Sequence, residues 1–139
     1  MVTMVDRQSK LTRIRRVKRK TAKAVTCAVR AGLHGLTVHT LTSDNGREFA
    51  AHEQIAESLN AGFYFCHPYH SWERGLNENT NGLIRQYFPK QTEFAKITWA
   101  QVRRVEDKLN NRPRKRLGYQ TPNEIYFKKQ EQQKVALTT

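Results

Sequence analysis

Two carboxylates in this chain stand where they could support metal-dependent phosphate chemistry. Asp44 follows a β-branched stretch, residues 36–42, that predicts a strand, and the Asn-Gly pair after it predicts a sharp turn. Ligands of open α/β sheets gather beyond the carboxyl ends of the strands, so a carboxylate at this point is well placed for a metal ion. The alternative is a turn aspartate that hydrogen-bonds its own backbone.

Glu78 lies in residues 75–88, where apolar residues recur at helical spacing. One face of that helix gathers apolar side chains, namely Leu76, Leu83 and Tyr87. The opposite face gathers Glu78, Asn81, Gly82 and Arg85. Because a glycine inside a helix costs about 1 kcal/mol, Gly82 indicates that something such as a phosphodiester approaches the backbone closely. The alternative is a solvated face with a tolerated glycine.

Together the two carboxylates predict a cradle for divalent ions. Phosphoryl transfer on DNA commonly uses two ions about 3.5–4 Å apart. Mg²⁺ prefers one or two carboxylates together with phosphate oxygens of the substrate. In that chemistry one ion activates the attacking water or 3′-hydroxyl, and the other stabilises the leaving oxygen.

The charge balance indicates an anionic partner. The 139 residues include 25 Lys and Arg against 12 Asp and Glu, a formal net charge of +13, which is most often a sign of nucleic-acid binding. The alternatives are a ribosomal-type scaffold and a basic surface without a partner. The two cysteines lie far apart without a CxxC pair, and the sequence contains neither a long apolar run nor a signal-peptide core, so we expect a cytoplasmic location.

The elements that must position these residues alternate between strands and helices. The patterns predict the order β, β, α, β, α, β, α, α, α, which is typical of an α/β fold with a mixed sheet. Capping boxes predict helix starts at Thr98 and Thr121, and an apolar stripe beginning at Trp99 predicts that this indole is buried. We expect one domain over residues 1–128 and a polar, frayed tail over residues 129–139.

Four stretches of the sequence carry a family pattern. They are residues 42–49 (TSDNGREF), 67–89 (HPYHSWERGLNENTNGLIRQYFP), 110–114 (NNRPR) and 121–124 (TPNE). Through them residues 41–128 resemble the catalytic domain of DDE transposases and retroviral-type integrases, most of all the IS30 family of bacterial insertion-sequence transposases. Thirty-three residues, 45 to 77, separate Asp44 from Glu78, as that family pattern expects.

The resemblance implies an RNase H-like fold, the core of integrases, with a mixed sheet flanked by helices. It implies that Asp44 and Glu78 are the second and third catalytic carboxylates and hold Mg²⁺ or Mn²⁺. The reaction would be DNA strand cleavage followed by strand transfer. The partners would be double-stranded DNA, both transposon ends and target, in a complex with further copies of the chain in the bacterial cytoplasm, without a membrane.

The family's first catalytic aspartate lies on a strand that would precede Met1. Asp6 fits a turn rather than a metal site, so we expect the chain to supply two of the three carboxylates. The missing strand would be central in the sheet, between the first and third strands of this chain. The expectation is therefore a truncated transposase.

Basic and amide side chains around the two carboxylates are the candidate contacts to DNA phosphates. One group flanks Glu78: Arg74, Asn77, Asn81, Arg85 and Lys90. A second basic patch follows the next predicted helix: Arg112, Arg114, Lys115 and Arg116. Trp72 could stack on a base or anchor its loop. We expect no zinc site at Cys66, His67 and His70, because a fourth ligand is not apparent.

Three functions remain open on the sequence alone. The first is a DDE transposase catalytic domain of the IS30 type. The second is a non-catalytic DNA-binding fragment that modulates full-length transposase. The third, a structural RNA-binding protein, explains the charge but not the spacing of Asp44 and Glu78.

Overall fold

The first two strands form an antiparallel hairpin. In the computed structural model, which describes residues 1–70 and 74–138 (residues 134–138 by their backbone), β1 spans Val2–Val5 and β2 spans Thr12–Arg15. Val2 pairs with Arg15 and Val5 with Thr12. Asp6 shapes the turn, since its Oδ2 accepts hydrogen bonds from the Ser9 amide at 2.7 Å and the Ser9 hydroxyl at 2.6 Å. The carboxylate of Asp6 therefore serves the hairpin, as the sequence predicts.

A second ladder is parallel and is built around a helical crossover. α1 spans Ala22–Leu33 and starts at Thr21, whose hydroxyl accepts from the Ala24 amide at 3.2 Å. The chain continues through β3 (Thr40–Ser43), a 3₁₀ turn (Arg47–Phe49), α2 (His52–Leu59) and β4 (Gly62–Phe65). β3 and β4 pair in parallel, with Thr40 opposite Gly62 and Ser43 opposite Phe65. A core of Val25, Val29, Leu33 and Ile55 lies beneath this unit.

The third strand is shorter than the sequence predicts. It begins at Thr40 rather than at residue 36, because Leu36 and Val38 pack against the α1–α2 core instead of joining the ladder. Within the described residues the two ladders do not pair with each other, so the strands form an antiparallel pair and a parallel pair rather than one continuous sheet. β1 and β3 thus each have one edge without a strand neighbour in the described part of the chain.

Three further helices complete the fold: α3 (Gly75–Arg85), α4 (Trp99–Asn110) and α5 (Pro122–Thr138). Side chains of α3 and α4 share a second core with β2, made of Ile14, Ile84, Phe88, Ile97, Val102, Val105 and Leu109. Both predicted capping boxes are confirmed, because Thr98 and Gln101, and likewise Thr121 and Glu124, bond reciprocally at the starts of α4 and α5. α5 continues as a helix through the segment predicted as a polar tail. None of the described helices is both long and apolar enough to cross a membrane.

Two polar side chains of α4 attach that helix to the free edge of β2. The buried carboxylate of Glu106 accepts from the Ile14 amide at 2.7 Å and pairs with the guanidinium groups of Arg13 (3.0 Å) and Arg15 (3.1 Å). One turn further along, the Asn110 amide bonds both the N–H and the C=O of Thr12, each at 2.8 Å. We call this arrangement of Glu106 and Asn110 on β2 the edge clamp. It gives the backbone of an edge strand the partners that another strand would otherwise supply.

Candidate functional site

Asp44 lies directly after the end of β3, as the sequence predicts. The backbone holds it firmly, since the carbonyl of the preceding Ser43 accepts from the Cys66 amide at 2.8 Å and so ties this point to the end of β4. One carboxylate oxygen, Oδ1, is buried and has no hydrogen-bond partner among the described residues. The other, Oδ2, lies 3.4 Å from Nη2 of Arg74. The side chain therefore has an oxygen whose bonding capacity is unused, which is unusual for a buried carboxylate atom.

Arg74 connects Asp44 to the helix that carries Glu78. Its guanidinium faces Asp44, and its backbone carbonyl accepts from the Glu78 amide at 3.0 Å, in the first turn of α3. Residues 71–73, including Trp72, lie outside the described residues. Arg74 thus contacts the Asp44 carboxylate through its side chain and the Glu78 amide through its backbone, and the Glu78 side chain is exposed.

The two faces of α3 divide as the sequence predicts. Thr80 and Ile84 are buried, and Leu83 packs against the core. The predicted ligand-facing side is open, because Asn77, Glu78, Asn81, Gly82 and Arg85 are all exposed, as is Lys90 beyond the helix. Apart from its chain neighbours and the backbone of its own helix, no described atom lies within 4 Å of a methyl group built on Gly82. Within the described part of the chain, no packing contact therefore requires a glycine there.

The second predicted DNA-contact group splits into exposed and half-buried members. Arg112, Lys115 and Arg116 are exposed, on a loop closed by a backbone bridge between Arg114 and Gln120. Arg114 is half-buried and donates to the Leu109 carbonyl at 3.3 Å, near the end of α4. Burial, followed by the charge of Arg112, lowers the pKa of the Arg114 guanidinium below its ordinary value. Arg114 is thus held by a contact to the end of α4, whereas Arg112, Lys115 and Arg116 are exposed.

The residues at the strand end fit a divalent metal ion. The described residues contain no cluster of three or more His, Cys, Asp and Glu with metal-binding geometry. Mg²⁺, however, takes one or two carboxylates and completes its shell with water and substrate phosphates. The buried, unpartnered Oδ1 of Asp44 is the kind of hard oxygen donor that such an ion requires. The carboxylate of Asp44 is therefore chemically suited to bind such an ion.

The predicted burial of Trp99 is wrong. Its indole is 43% exposed, and the Arg15 guanidinium lies over the ring, 5.1 Å from the centroid. Trp99 occupies the first turn of α4, where the helix edge faces a groove lined by Lys18, Arg19 and the small residues of α1 rather than the core. In the sequence of β2, Arg13 and Arg15 alternate with the apolar Ile14. This alternation is the sequence feature that could have indicated an arginine beside Trp99.

Comparisons with known proteins show which curated proteins the chain is similar to. No protein-family model matches the chain. The transposase of insertion sequence IS4351 from Bacteroides fragilis is 66% identical over 89 residues, which are 64% of this chain and 27% of that protein. Transposase InsI of IS30C from Escherichia coli K12 is 44% identical over 128 residues, 90% of this chain and 33% of that protein. The chain thus spans about a third of the length of these curated relatives.

Solved structures give the fold class. The catalytic core domain of BIV integrase superimposes with a TM-score of 0.75 and 24% identity, covering 94% of this chain and 87% of that one. A chain of the simian T-cell lymphotropic virus intasome superimposes with a TM-score of 0.60 and 22% identity, covering 78% of this chain and 41% of that one.

The chain therefore has the RNase H-like fold of an integrase catalytic core, which confirms the predicted fold class. Its curated relatives by sequence include IS30-type transposases, which confirms the resemblance read from residues 41–128.

Proposed function

We propose that this chain is the catalytic core of an IS30-type DDE transposase that cleaves DNA strands and transfers them in transposition. The observation that carries the proposal is the carboxylate of Asp44, which lies at a strand end with one buried oxygen that no described residue hydrogen-bonds. The IS30-type relatives are named as transposases and support the same function. Within this proposal the chain acts in the bacterial cytoplasm and assembles with further copies on DNA.

Asp44 and Glu78 would hold Mg²⁺ or Mn²⁺, which supplies Lewis-acid activation of the attacking oxygen and of the scissile phosphate. The chain's own residues bind and orient the DNA backbone. Arg85 and Arg74 bring guanidinium groups to phosphate oxygens, which they can contact through two N–H groups at once. Asn77 and Asn81 offer amide N–H donors on the exposed side of α3, and Lys90 adds a point charge.

The loop after α4 provides a second contact to the DNA backbone. The exposed cations Arg112, Lys115 and Arg116 would bind phosphates, whereas Arg114 supports the loop from within. Such contacts position a duplex without reading its sequence. Each phosphate contact that a substitution removes should reduce the slope of log affinity against log salt concentration by about one unit.

The test of the proposed function combines nicking of supercoiled plasmid with Mn²⁺ binding. We expect Mg²⁺-dependent nicking that is lost in Glu78→Gln, together with Mn²⁺ binding that weakens at least about ten-fold in Asp44→Asn. The matched control is Glu93→Gln, which changes an exposed glutamate whose carboxylate pairs with the exposed Lys96. Its nicking and Mn²⁺ binding should equal those of the native chain.

The alternative function is a non-catalytic DNA-binding domain. Salt-sensitive DNA binding that is unchanged in Glu78→Gln, without metal-dependent nicking, would favour that alternative and reject the catalytic proposal. The exposed basic residues of the loop after α4 are the observation that favours it, because they suit phosphate binding whether or not strands are cut.

A further inference from the structure

The ion pair between Arg74 and Asp44 lies at the carboxylate that the proposed function assigns to a metal ion. The guanidinium Nη2 is 3.4 Å from Oδ2 of Asp44, and the two side chains are 49% and 44% exposed. Arg74 is the residue before α3, and its side chain makes no capping hydrogen bond to that helix. Its guanidinium instead contacts Oδ2 of Asp44, and Oδ1 has no hydrogen-bond partner in the described part of the chain.

We propose that Arg74 is an exchangeable counter-ion of Asp44, which a divalent cation displaces and a DNA phosphate draws away. The inference rests on the proposed function, because it takes Asp44 as a metal ligand. A guanidinium at hydrogen-bonding distance and a divalent cation cannot both occupy the outer side of one carboxylate without strong repulsion. The pair is long, singly bonded and half-exposed, so separating it costs little.

The exchange couples metal binding to DNA binding. Once a cation holds Asp44, the Arg74 guanidinium is free to bind a phosphate oxygen. Conversely, a phosphate that attracts Arg74 leaves Asp44 open to the cation. Because linkage between two ligands is reciprocal, each should tighten the binding of the other. Arg74 is then a positioning residue whose guanidinium pairs with the Asp44 carboxylate until a DNA phosphate binds it.

The primary measurement is Mn²⁺ affinity in the absence of DNA, followed by the spin-resonance signal of free Mn²⁺. We expect Arg74→Gln to tighten Mn²⁺ binding about five-fold, because it removes a positive charge that competes for the carboxylate. The matched control is Arg47→Gln, which removes the same charge from an exposed side chain three residues after Asp44. Its Mn²⁺ affinity should stay within about two-fold of native.

A second variant separates charge from folding. Arg74→Lys keeps the positive charge, so its Mn²⁺ affinity should stay close to native, and far-ultraviolet circular dichroism should show native helix content in every variant. Unchanged or weaker Mn²⁺ binding in Arg74→Gln would overturn the counter-ion role. So would an equal tightening in Arg47→Gln, because the effect would then be one of net charge rather than of this contact.

A short DNA duplex provides the test of coupling. With saturating duplex, Mn²⁺ binding by the native chain should tighten towards that of Arg74→Gln, so the difference between the two shrinks. A difference that persists unchanged with DNA would contradict the exchange. Asp44→Asn separates the proposed metal site from the proposed counter-ion role of Arg74. If this substitution leaves Mn²⁺ binding intact, the proposed metal site is wrong. If it weakens binding while Arg74→Gln does not tighten it, only the counter-ion role fails.

Discussion

Glu106 and Asp44 are both carboxylates that face arginine side chains, yet their surroundings differ. Glu106 is buried, and its two oxygens are used by the Ile14 amide and by two guanidinium groups at 2.7–3.1 Å. Asp44 has one arginine at 3.4 Å and one buried oxygen that no described residue hydrogen-bonds. The edge clamp is complete within the protein, whereas the strand end after β3 leaves bonding capacity for something else.

The difference separates a carboxylate that holds the fold from one that is available to a ligand. A buried charge is tolerated when its hydrogen-bonding capacity is satisfied, and removing one partner exposes the full cost of burial. A carboxylate that is poorly satisfied in the folded chain costs little to alter and gains most from a cation. We therefore expect substitution of Glu106 to lower the free energy of unfolding more than substitution of Asp44 does. We expect substitution of Asp44 to weaken metal binding more than substitution of Glu106 does.

The largest effect is expected at the edge clamp. Glu106→Ala should lower the free energy of unfolding by about 3 kcal/mol, because it leaves a buried amide and two partly buried guanidinium groups without their acceptor. Urea denaturation followed by circular dichroism measures this change. Glu93→Ala is the comparison, since its partner Lys96 is largely exposed and the loss should stay below about 0.5 kcal/mol. Equal losses of unfolding free energy in the two variants would show that the edge clamp does not stabilise the fold.

An intermediate effect of opposite sign is expected on the exposed side of α3. Gly82→Ala should raise the free energy of unfolding by about 1 kcal/mol, since the new methyl group meets no other atom and alanine favours the helix. DNA affinity, measured by fluorescence anisotropy, should fall several-fold if a phosphate approaches the backbone there. Asn79→Ala, at an exposed position beside this face, should leave DNA affinity unchanged. An unaltered affinity in Gly82→Ala would mean that the glycine is merely tolerated.

The smallest effect on stability is expected at Asp44. Asp44→Asn should change the free energy of unfolding by less than about 0.5 kcal/mol, because the ion pair with Arg74 is half-exposed and long. The same urea titration provides the measurement. A loss of about 2 kcal/mol or more in the free energy of unfolding would show that Asp44, like Glu106, stabilises the fold.

Local features of the fold were predictable from the sequence. The capping boxes at Thr98 and Thr121 involve residues three positions apart, so the sequence contains both partners of each bond. The two faces of α3 follow from helical periodicity, which the exposure of Glu78 and the burial of Ile84 confirm. The length of β3 was not predictable, because β-branched residues fit a core-facing loop as well as a ladder.

Long-range features were not predictable from the same patterns. The edge clamp joins Glu106 to Ile14 and Asn110 to Thr12, pairs separated by 92 and 98 positions. A polar residue follows directly after an apolar one at Val105-Glu106 and at Leu109-Asn110, which is a usable signal of polar groups entering the core. The contact between Arg74 and Asp44 was also not predicted. The sequence indicated both residues as members of the site, but not that they pair with each other across 30 positions.

The edge clamp also bears on how this chain behaves at high concentration. An uncovered edge strand offers a row of free amides and carbonyls to strands of other molecules, which is a common origin of aggregation. On β2 the helix takes the amides of Thr12 and Ile14 and the carbonyl of Thr12, while the Arg15 guanidinium takes the carbonyl of Ile14 at 2.8 Å. A strand from a neighbouring molecule therefore finds no vacant hydrogen-bonding group between Thr12 and Ile14, and the hairpin is protected on that side against edge-to-edge growth into fibrils.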